Sequence, residues 1–279
     1  MTPDSADAVA PSSQAIDRAR ALLAEARRVV VFTGAGVSAA SGVPTFRGAG
    51  GLWRSFRPEE LATPEAFARD PRLVWEWYAL RRALVAECRP NAAHRAIARW
   101  AAAVIARGGS AVVATQNVDG LHQRAAAAAE AEDRIPAAPV LALHGSLFAT
   151  RCSRCDWRAP EDDRDGAHVA GRPLDLTARE TLPRCPRCGG LQRPGVVWFG
   201  EALDEGMIGA AYDAAARADA CLAVGTSALV HPAAGIATAA ARAGAAIVEV
   251  NADETPLTAR ATVSIRGRAA EVVPLVLGA

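Results

Sequence analysis

The chain has 279 residues, a net charge of +1 and a hydrophobic fraction of 51%, which is typical of a folded globular protein. This charge balance argues against a nucleic-acid or acidic-membrane partner, and no apolar run is long enough to span a bilayer. Residues 1–13 lack both arginine and a hydrophobic segment, which excludes a secretory signal and predicts a disordered leader.

A glycine turn follows the first predicted strand. After a helix predicted over residues 14–28, residues 29–32 read Val-Val-Val-Phe, as in a buried parallel strand. Gly34, Gly36 and Ala39 then fit the G-x-G-x-x-G/A turn that brings backbone close to a phosphate. An ordinary tight turn fits equally well, and the acidic ribose ligand expected about 20 residues later is missing.

Three helices are predicted in the next part of the chain. Residues 43–58 mix glycine with aromatic side chains, which indicates either a lid over a ligand or a plain surface loop. Thr63-Pro64 and Asp70-Pro71 are typical helix starts, and Asn91 is expected to cap a helix that runs to residue 107. The alanine-rich residues 125–139 are interpreted as a low-complexity connection.

Strands and helices alternate through the remaining sequence. Strands are predicted at 111–115, 140–143, 220–224 and 246–250, with helices at 205–217 and after Pro232. This alternation predicts an α/β fold with a doubly wound parallel sheet. Two segments, 45–89 and 148–198, interrupt it.

Polar residues directly follow the predicted strands. They are Thr33-Gly34, Gln116-Asn117-Asp119, His144, Gly225-Thr226-Ser227 and Asn251-Asp253. Taken singly, each fits a turn or a helix cap, and His144 fits either a general base or a hydrogen-bonded core histidine. Taken jointly, they indicate a ligand site, because the carboxyl ends of parallel strands form one edge of the sheet.

Four of the six cysteines form two C-x-x-C pairs: Cys152 with Cys155, and Cys185 with Cys188. Four thiolates fill a tetrahedral shell, so this spacing predicts one structural zinc ion with no position open for catalysis. Metal-binding thiols also indicate a reducing compartment, hence a cytoplasmic location. Cys88 and Cys221 are interpreted as buried fillers.

Tyr78 and Arg81 are three residues apart and share one face of a predicted helix. Without further context, an arginine on the solvated side of an aromatic-rich helix is the simpler interpretation. A phenol beside a guanidinium would also suit recognition of a carboxylate.

Taken together, the motifs resemble the sirtuins, which are NAD-dependent protein-lysine deacylases. The segments that carry the resemblance are GAGVSAASGVPTFRG, TQNVDGLH, LHGS, the two C-x-x-C pairs, VVWFGE, GTS and VNADE, in that order between residues 29 and 253. Thr45, where many sirtuins have aspartate, is similar to the class III members that remove acidic acyl groups.

The resemblance implies a division of the chain and a role for each matching residue. Residues 14–44, 90–147 and 199–279 would form a Rossmann-like NAD-binding domain, and 45–89 with 148–198 a small domain made of a helical and a zinc-ribbon module. The implied NAD-binding residues are Gly34, Ala35, Gly36, Ser38, Ala39, Thr45, Phe46, Arg47, Trp53, Gln116, Asn117, Val118, Asp119, Gly225, Thr226, Ser227, Asn251, Ala252, Asp253 and Ala269. His144 would be the catalytic base. The implied substrate-binding residues are Tyr78, Arg81, Ala62, Ala66, Val197, Trp198, Phe199, Gly200 and Glu201, the last five by β-strand pairing with the peptide.

The implied reaction consumes NAD as a co-substrate. The acyl group of a lysine side chain is transferred to ADP-ribose, which gives nicotinamide, O-acyl-ADP-ribose and free lysine. Tyr78 and Arg81 match the positions that hold a succinyl or malonyl carboxylate in class III sirtuins.

A general deacetylase or an ADP-ribosyltransferase on the same fold is the alternative, and a zinc-ribbon binding module is a different class of function. The expected partners are acyl-lysine proteins or peptides; a monomer is favoured over an oligomer.

Overall fold

A computed structural model describes residues 11–43, 58–159, 168–169 and 172–278. The α-helices within these residues are α1 (Ser13–Glu25), α2 (Pro58–Leu61), α3 (Pro64–Arg69), α4 (Pro71–Ala86), α5 (Ala92–Ala106), α6 (Leu121–Asp133), α7 (Glu205–Ala216), α8 (Gly235–Arg242) and α9 (Ala269–Leu277). The strands are β1 (Arg28–Thr33), β2 (Ser110–Thr115), β3 (Val140–Ala142), β4 (Gly145–Cys152), β5 (His168–Val169), β6 (Arg172–Pro173), β7 (Gln192–Val196), β8 (Ala220–Val224), β9 (Ala246–Asn251) and β10 (Val263–Arg266). Short 3₁₀ helices cover Ala35–Ser41 and Thr258–Arg260.

Six parallel strands form the central sheet, in the order β10-β9-β8-β1-β2-β3. The chain passes from β1 to β2 and β3 on one side and later returns to β8, β9 and β10 on the other. The order therefore reverses between β1 and β8, which is the switch point where doubly wound sheets bind ligands. The predicted fold class is confirmed.

Helices cover both faces of this sheet, and the side chains of β1 show why. Val29 and Val31 pack into one apolar cluster with α1, α5 and α9, whereas Val30 and Phe32 pack into a second with α7 and α8. Successive side chains of a strand point to opposite faces, so an unbroken apolar run requires a cover on each side.

A third apolar cluster joins α3 and α4 to the antiparallel pair β4 and β7. The indole Nε1 of Trp75 donates to the carbonyl of Gln192 at 2.9 Å, and the buried Arg82 donates from Nε to the carbonyl of Leu147 at 2.6 Å. These bonds attach the helical segment to β4, which ends at Cys152, and to β7. The domain boundaries themselves stay a prediction.

Most predicted elements match the structure within two or three residues. The predicted connection at 125–139 is wrong for most of its length, because α6 extends to Asp133; alanine has the highest helix propensity of all residues. Ser13, placed in the leader, is the first residue of α1, and residues 1–10 lie outside the described part. The elements that the prediction did not include are α2, β4, β5, β6, β7, β10 and α9.

No helix in the described ranges is long and apolar enough to cross a membrane.

The predicted helix caps are present. Thr63 accepts from the backbone N–H of Ala66 at 3.1 Å, and Asp70 accepts from that of Leu73 at 3.0 Å. Asn91 does more than cap α5. Its Oδ1 accepts from the N–H of Ala93 at 2.9 Å, while its Nδ2 donates to the carbonyl of Val37 at 2.8 Å and to Ser41 Oγ at 3.0 Å. Asn91 therefore ties α5 to the 3₁₀ turn that follows β1.

Asn91→Ala is expected to lower the free energy of unfolding by about 2–3 kcal/mol, because a cap is worth about 1 kcal/mol and each further hydrogen bond about the same. Asp204→Ala is the matched control, since the side chain of Asp204 caps α7 through one bond to Met207 N at 3.0 Å. We expect that control to lose about 1 kcal/mol. Urea denaturation of both variants measures the difference, and equal losses would contradict the extra role of Asn91.

Candidate active site

A cleft of about 1180 Å³ lies along the carboxyl edge of β1, β2, β8 and β9. It brings together most of the residues predicted from sequence: Gly34, Ala35, Gly36, Ala39, Ala62, Tyr78, Arg81, Gln116, Asn117, Val118, His144, Val197, Trp198, Phe199, Gly200, Glu201, Gly225, Thr226, Ser227, Asn251, Ala252, Asp253 and Ala269. Ser38, Ala66 and Asp119 are buried and are not among its lining residues. Thr45, Phe46, Arg47 and Trp53, with the predicted lid, lie outside the described residues.

The glycines of the first turn are required by the neighbouring strand. A Cβ on Gly34 would lie 2.8 Å from the carbonyl oxygen of Gly225, and a Cβ on Gly36 would lie 2.8 Å from Gly225 Cα. Gly36 N donates to that same carbonyl at 2.8 Å. Gly225 itself has φ of +58°, which favours glycine. The two strand ends therefore meet backbone to backbone at the switch point.

Behind this turn, a buried polar network connects three of the predicted cofactor residues. Ser38 Oγ donates to Asp119 Oδ2 at 2.7 Å and accepts from Asn117 Nδ2 at 3.0 Å. The ring of His94 reaches the same Oγ at 3.3 Å, while its Nδ1 accepts from Asn91 N. Burial lowers the pKa of His94 to about 2 and raises that of Asp119. His94 is thus neutral, and Ser38 is held in one orientation.

A second buried histidine lies beside the first. His122 is hydrogen-bonded through Nε2 to Thr33 Oγ1 at 3.0 Å, and Thr33 donates to Thr115 Oγ1 at 2.8 Å. Burial lowers the pKa of His122 to about 4. His94 and His122 are therefore neutral parts of the scaffold under the cleft.

His144 is oriented by the strand next to it. Its Nδ1 lies 2.9 Å from the carbonyl oxygen of Gln116, which can only accept, so Nδ1 carries the proton. Nε2 is then the basic nitrogen of the neutral ring. Burial lowers the pKa of His144, and the bond to Gln116 partly offsets this. Gln116 Nε2 donates to Thr226 Oγ1 at 2.8 Å, which links the ends of β2 and β8.

At one end of the cleft, α4 presents Tyr78 and Arg81, which are 1% and 8% exposed. The interpretation of Arg81 as a solvated surface residue is therefore wrong, because the helix packs that face against β4 and β7. Its guanidinium carbon lies 4.5 Å from the ring centroid of Trp77 and 5.4 Å from that of Tyr78. Tyr78 Oη also accepts from Trp198 Nε1 at 2.9 Å.

A buried ion pair supports the loop that carries Trp198. Arg193 contacts Glu201 through two N–O distances of 2.6 and 3.0 Å, and its guanidinium carbon lies 3.2 Å from the ring centroid of Trp198. Arg151 donates to the same carboxylate at 2.9 Å, and so does the backbone N–H of Trp198 at 2.8 Å. Burial alone would raise the pKa of Glu201, but its hydrogen bonds lower it. This loop is therefore rigid at its base.

The four predicted metal ligands converge. The sulfur atoms of Cys152, Cys155, Cys185 and Cys188 all lie within 4.8 Å of one another. Backbone N–H groups of Arg154 and Arg187 donate to Cys152 Sγ at 3.3 Å and to Cys185 Sγ at 3.4 Å. Donors aimed at sulfur stabilise the thiolate form that metal binding needs. This set could hold one zinc ion in a closed tetrahedral shell.

The sequence pattern of the Sir2 family matches residues 34–232, which is more than half of the chain. An NAD-dependent protein deacylase 2 from Pyrobaculum aerophilum is 49% identical over 253 residues, or 91% of each chain. The chain belongs to the Sir2 family.

Two solved structures extend the likeness to the fold. A complex of a Sir2 homologue with NAD has a TM-score of 0.78 at 42% identity, covering 93% of this chain and 92% of that chain. A mutant Sir2 with a deacetylated p53 peptide and 3'-O-acetyl ADP-ribose has a TM-score of 0.76 at 28% identity, covering 94% and 97%. The predicted family and fold are both confirmed.

Sequence reasoning missed several residues that hold the site of this Sir2 protein together. They are Arg193, Glu249 and Arg266. Glu249 had a local signal, because it interrupts the apolar strand AIVEVN. The sequence around Arg193 gave no such signal, because only the pairing of β4 with β7 brings Arg193 to Glu201.

Cys185→Ser is expected to remove zinc and to lower the melting temperature of this Sir2 protein, because three thiolates and a hydroxyl bind the ion far more weakly. Cys88→Ser is the matched control, since Cys88 lies outside the cluster. Metal analysis of the purified proteins should give about one zinc per chain for wild type and control. A wild-type protein that folds stably without zinc would refute the assignment.

Proposed function

We propose that this chain is an NAD-dependent protein-lysine deacylase that removes succinyl and malonyl groups as well as acetyl groups. The observation that carries the proposal is the joint presence, in one cleft, of the glycine turn, an oriented neutral His144, and the Tyr78–Arg81 pair. Family membership and the names of the relatives support the coarser activity. The acidic-acyl preference rests on the Tyr78 pocket.

For NAD, the strand ends provide the parts of a dinucleotide site. Gly34 and Gly36 line the cleft beside Gly225, and their bare backbone would allow a pyrophosphate to approach closely. Asn251 and Asp253 are proposed to hold the adenosine ribose, which supplies the acidic ligand that the first βα unit lacks. The remaining implied residues, including Ser227, Ala252 and Ala269 of the cleft lining, are proposed for the same roles that the resemblance gives them.

His144 is proposed as the base. NAD, when bound, would supply the ribose carbon to which the acyl oxygen bonds as nicotinamide leaves. The basic Nε2 of His144 is set to remove a proton from a ribose hydroxyl, because Nδ1 is fixed on the carbonyl of Gln116. The closed cysteine cluster takes no part, since four sulfurs leave no position for water or substrate.

The Tyr78 hydroxyl carries the argument for acidic acyl groups. Its oxygen accepts from Trp198 Nε1, and the guanidinium carbon of Arg81 lies 5.4 Å from the centroid of its ring. With Trp198 donating to the oxygen, the hydroxyl proton is directed to another acceptor. Burial raises the pKa of Tyr78, so the proton is retained. The carboxylate of an acidic acyl group would accept hydrogen bonds from the Tyr78 hydroxyl and from the Arg81 guanidinium together.

The peptide is proposed to lie along residues 197–201, with a constraint that sequence did not indicate. The N–H of Val197 donates to the carbonyl of His144 at 2.9 Å, and that of Phe199 to the carbonyl of Ala62 at 3.0 Å. Strand pairing with an acyl-lysine peptide would therefore use the carbonyls of this loop. The 49% exposed ring of Phe199 is available to cover the lysine side chain.

The cellular setting is inferred from the cysteines. All six are free, and four of them form the metal cluster, which fits a reducing compartment such as the cytoplasm.

His144→Ala is expected to lower kcat/KM for acyl-peptides about 10²- to 10⁴-fold, the usual contribution of a general base, while the Kd for NAD stays within about twofold. Burial lowers the pKa of His144 below its usual 6.5. The ring therefore stays neutral, and able to accept a proton, as the pH falls to 6.5. The acid limb of kcat/KM for wild type should therefore lie below pH 6.5. Full turnover by the variant, or an acid limb above pH 7, would contradict the assignment.

Tyr78→Phe and Arg81→Met are each expected to reduce the succinyl-to-acetyl ratio of kcat/KM about 10- to 100-fold, because each removes a charge-assisted hydrogen bond. Trp198→Phe should reduce the ratio less, since it removes only the donor that orients Tyr78. Arg72→Met is the matched control on the same helix, where Arg72 pairs with Glu76 at 2.9 Å.

Mass spectrometry of succinyl-, malonyl- and acetyl-peptides incubated with NAD measures these ratios. An unchanged ratio in both Tyr78→Phe and Arg81→Met would leave the general deacetylase as the better description. Labelled ADP-ribose on the protein substrate, with no free lysine formed, would favour the ADP-ribosyltransferase.

A further inference from the structure

At the end of β9, the carboxylate of Glu249 is buried, with 2% of the residue exposed. It accepts hydrogen bonds from three hydroxyl groups and one guanidinium: Thr255 Oγ1 at 2.5 Å, Ser264 Oγ at 2.6 Å, Thr258 Oγ1 at 2.8 Å and Arg266 Nη2 at 2.9 Å. A buried carboxylate is costly unless it is paired and hydrogen-bonded in this way.

Arg266 extends this contact to the cleft. Its Nη2 lies on Glu249, whereas its Nη1 donates to the backbone carbonyls of Asn251, at 3.4 Å, and of Asp253. The planar fork of arginine allows one side chain to bond a carboxylate and a backbone segment at the same time. Asn251 Nδ2 closes the loop by donating to the carbonyl of Asp253 at 2.8 Å.

We infer that the Glu249–Arg266 pair positions the loop 251–253 for the adenosine end of NAD, and so sets the affinity for NAD without taking part in acyl transfer. This rests on the proposed function, since NAD must be the ligand of the cleft. Asn251, Ala252 and Asp253 line the cleft, whereas Glu249 does not. Arg266 is not among the lining residues either, so both are positioning residues.

A second ion pair serves as the control for the possibility that Glu249 and Arg266 contribute only to stability. Arg28 contacts Asp219 at 2.6 Å, and Asp219 also accepts from the backbone N–H groups of Arg27 and Arg28. This pair lies at the amino ends of β1 and β8, opposite the cleft. Asp219→Asn therefore repeats the chemical change of Glu249→Gln away from the ligand.

The experiment measures the Kd for NAD by calorimetry, and KM and kcat with an acetyl-peptide, in the full-length zinc-loaded protein. Glu249→Gln is expected to raise the Kd and KM for NAD about 10-fold or more, with kcat at saturating NAD within about twofold of wild type. Arg266→Lys should give the same split, because an ammonium cannot bridge the carboxylate and both carbonyls. Asp219→Asn should leave the Kd for NAD unchanged, whatever its melting temperature.

Each outcome bears on one of the two proposals. If wild type binds no NAD, the proposed function fails. If wild type binds NAD and both Glu249→Gln and Arg266→Lys bind it equally well, only the positioning role is refuted. A variant that does not fold is replaced by Thr258→Val, which removes one hydroxyl from Glu249 and should give a smaller rise in Kd with the same unchanged kcat.

Discussion

The close approach of two backbones at the switch point is the constraint on which the site depends. Gly34 and Gly36 touch Gly225 so closely that any side chain at the first two positions would push β1 and β8 apart. Both strands are fully buried beyond their first residues, so neither can shift to make room. The cleft thus has a floor of bare backbone between the two halves of the sheet, which a ligand can approach closely.

Beneath this backbone floor, buried polar side chains are hydrogen-bonded to one another. Ser38, Asn117 and Asp119 bond to one another, and the buried histidines are neutral because their pKa values are lowered by burial. Such a network keeps a polar site rigid in a low-dielectric surrounding, where an unsatisfied group would be costly. His144, the proposed base, has its Nε2 set by the bond on its other nitrogen.

The end of the cleft that holds Tyr78 depends on a second, independent support. Glu201 binds Arg193 and Arg151 and holds the backbone of Trp198, and Trp198 in turn donates to Tyr78 on α4. The cysteine cluster lies at the far ends of β4 and β7, the same strands that carry these arginines. The cysteine cluster and the support of Trp198 therefore share the same pair of strands.

The sequence by itself determined the class of fold, the cysteine cluster and most of the cleft. Apolar strand runs, helix caps and the C-x-x-C spacing are local signals, and a parallel sheet necessarily gathers strand ends at one edge.

The sequence could not determine the contacts between residues far apart in the chain. From sequence, the simpler interpretation of Arg81 was a solvated helix residue, but packing buries it. The alanine-rich segment was interpreted as a connection, although most of it is helical. Glu249 and Arg266, seventeen positions apart, meet only because β9 and β10 pair. Burial and partnership are properties of the packed chain, so only the tertiary structure could assign them.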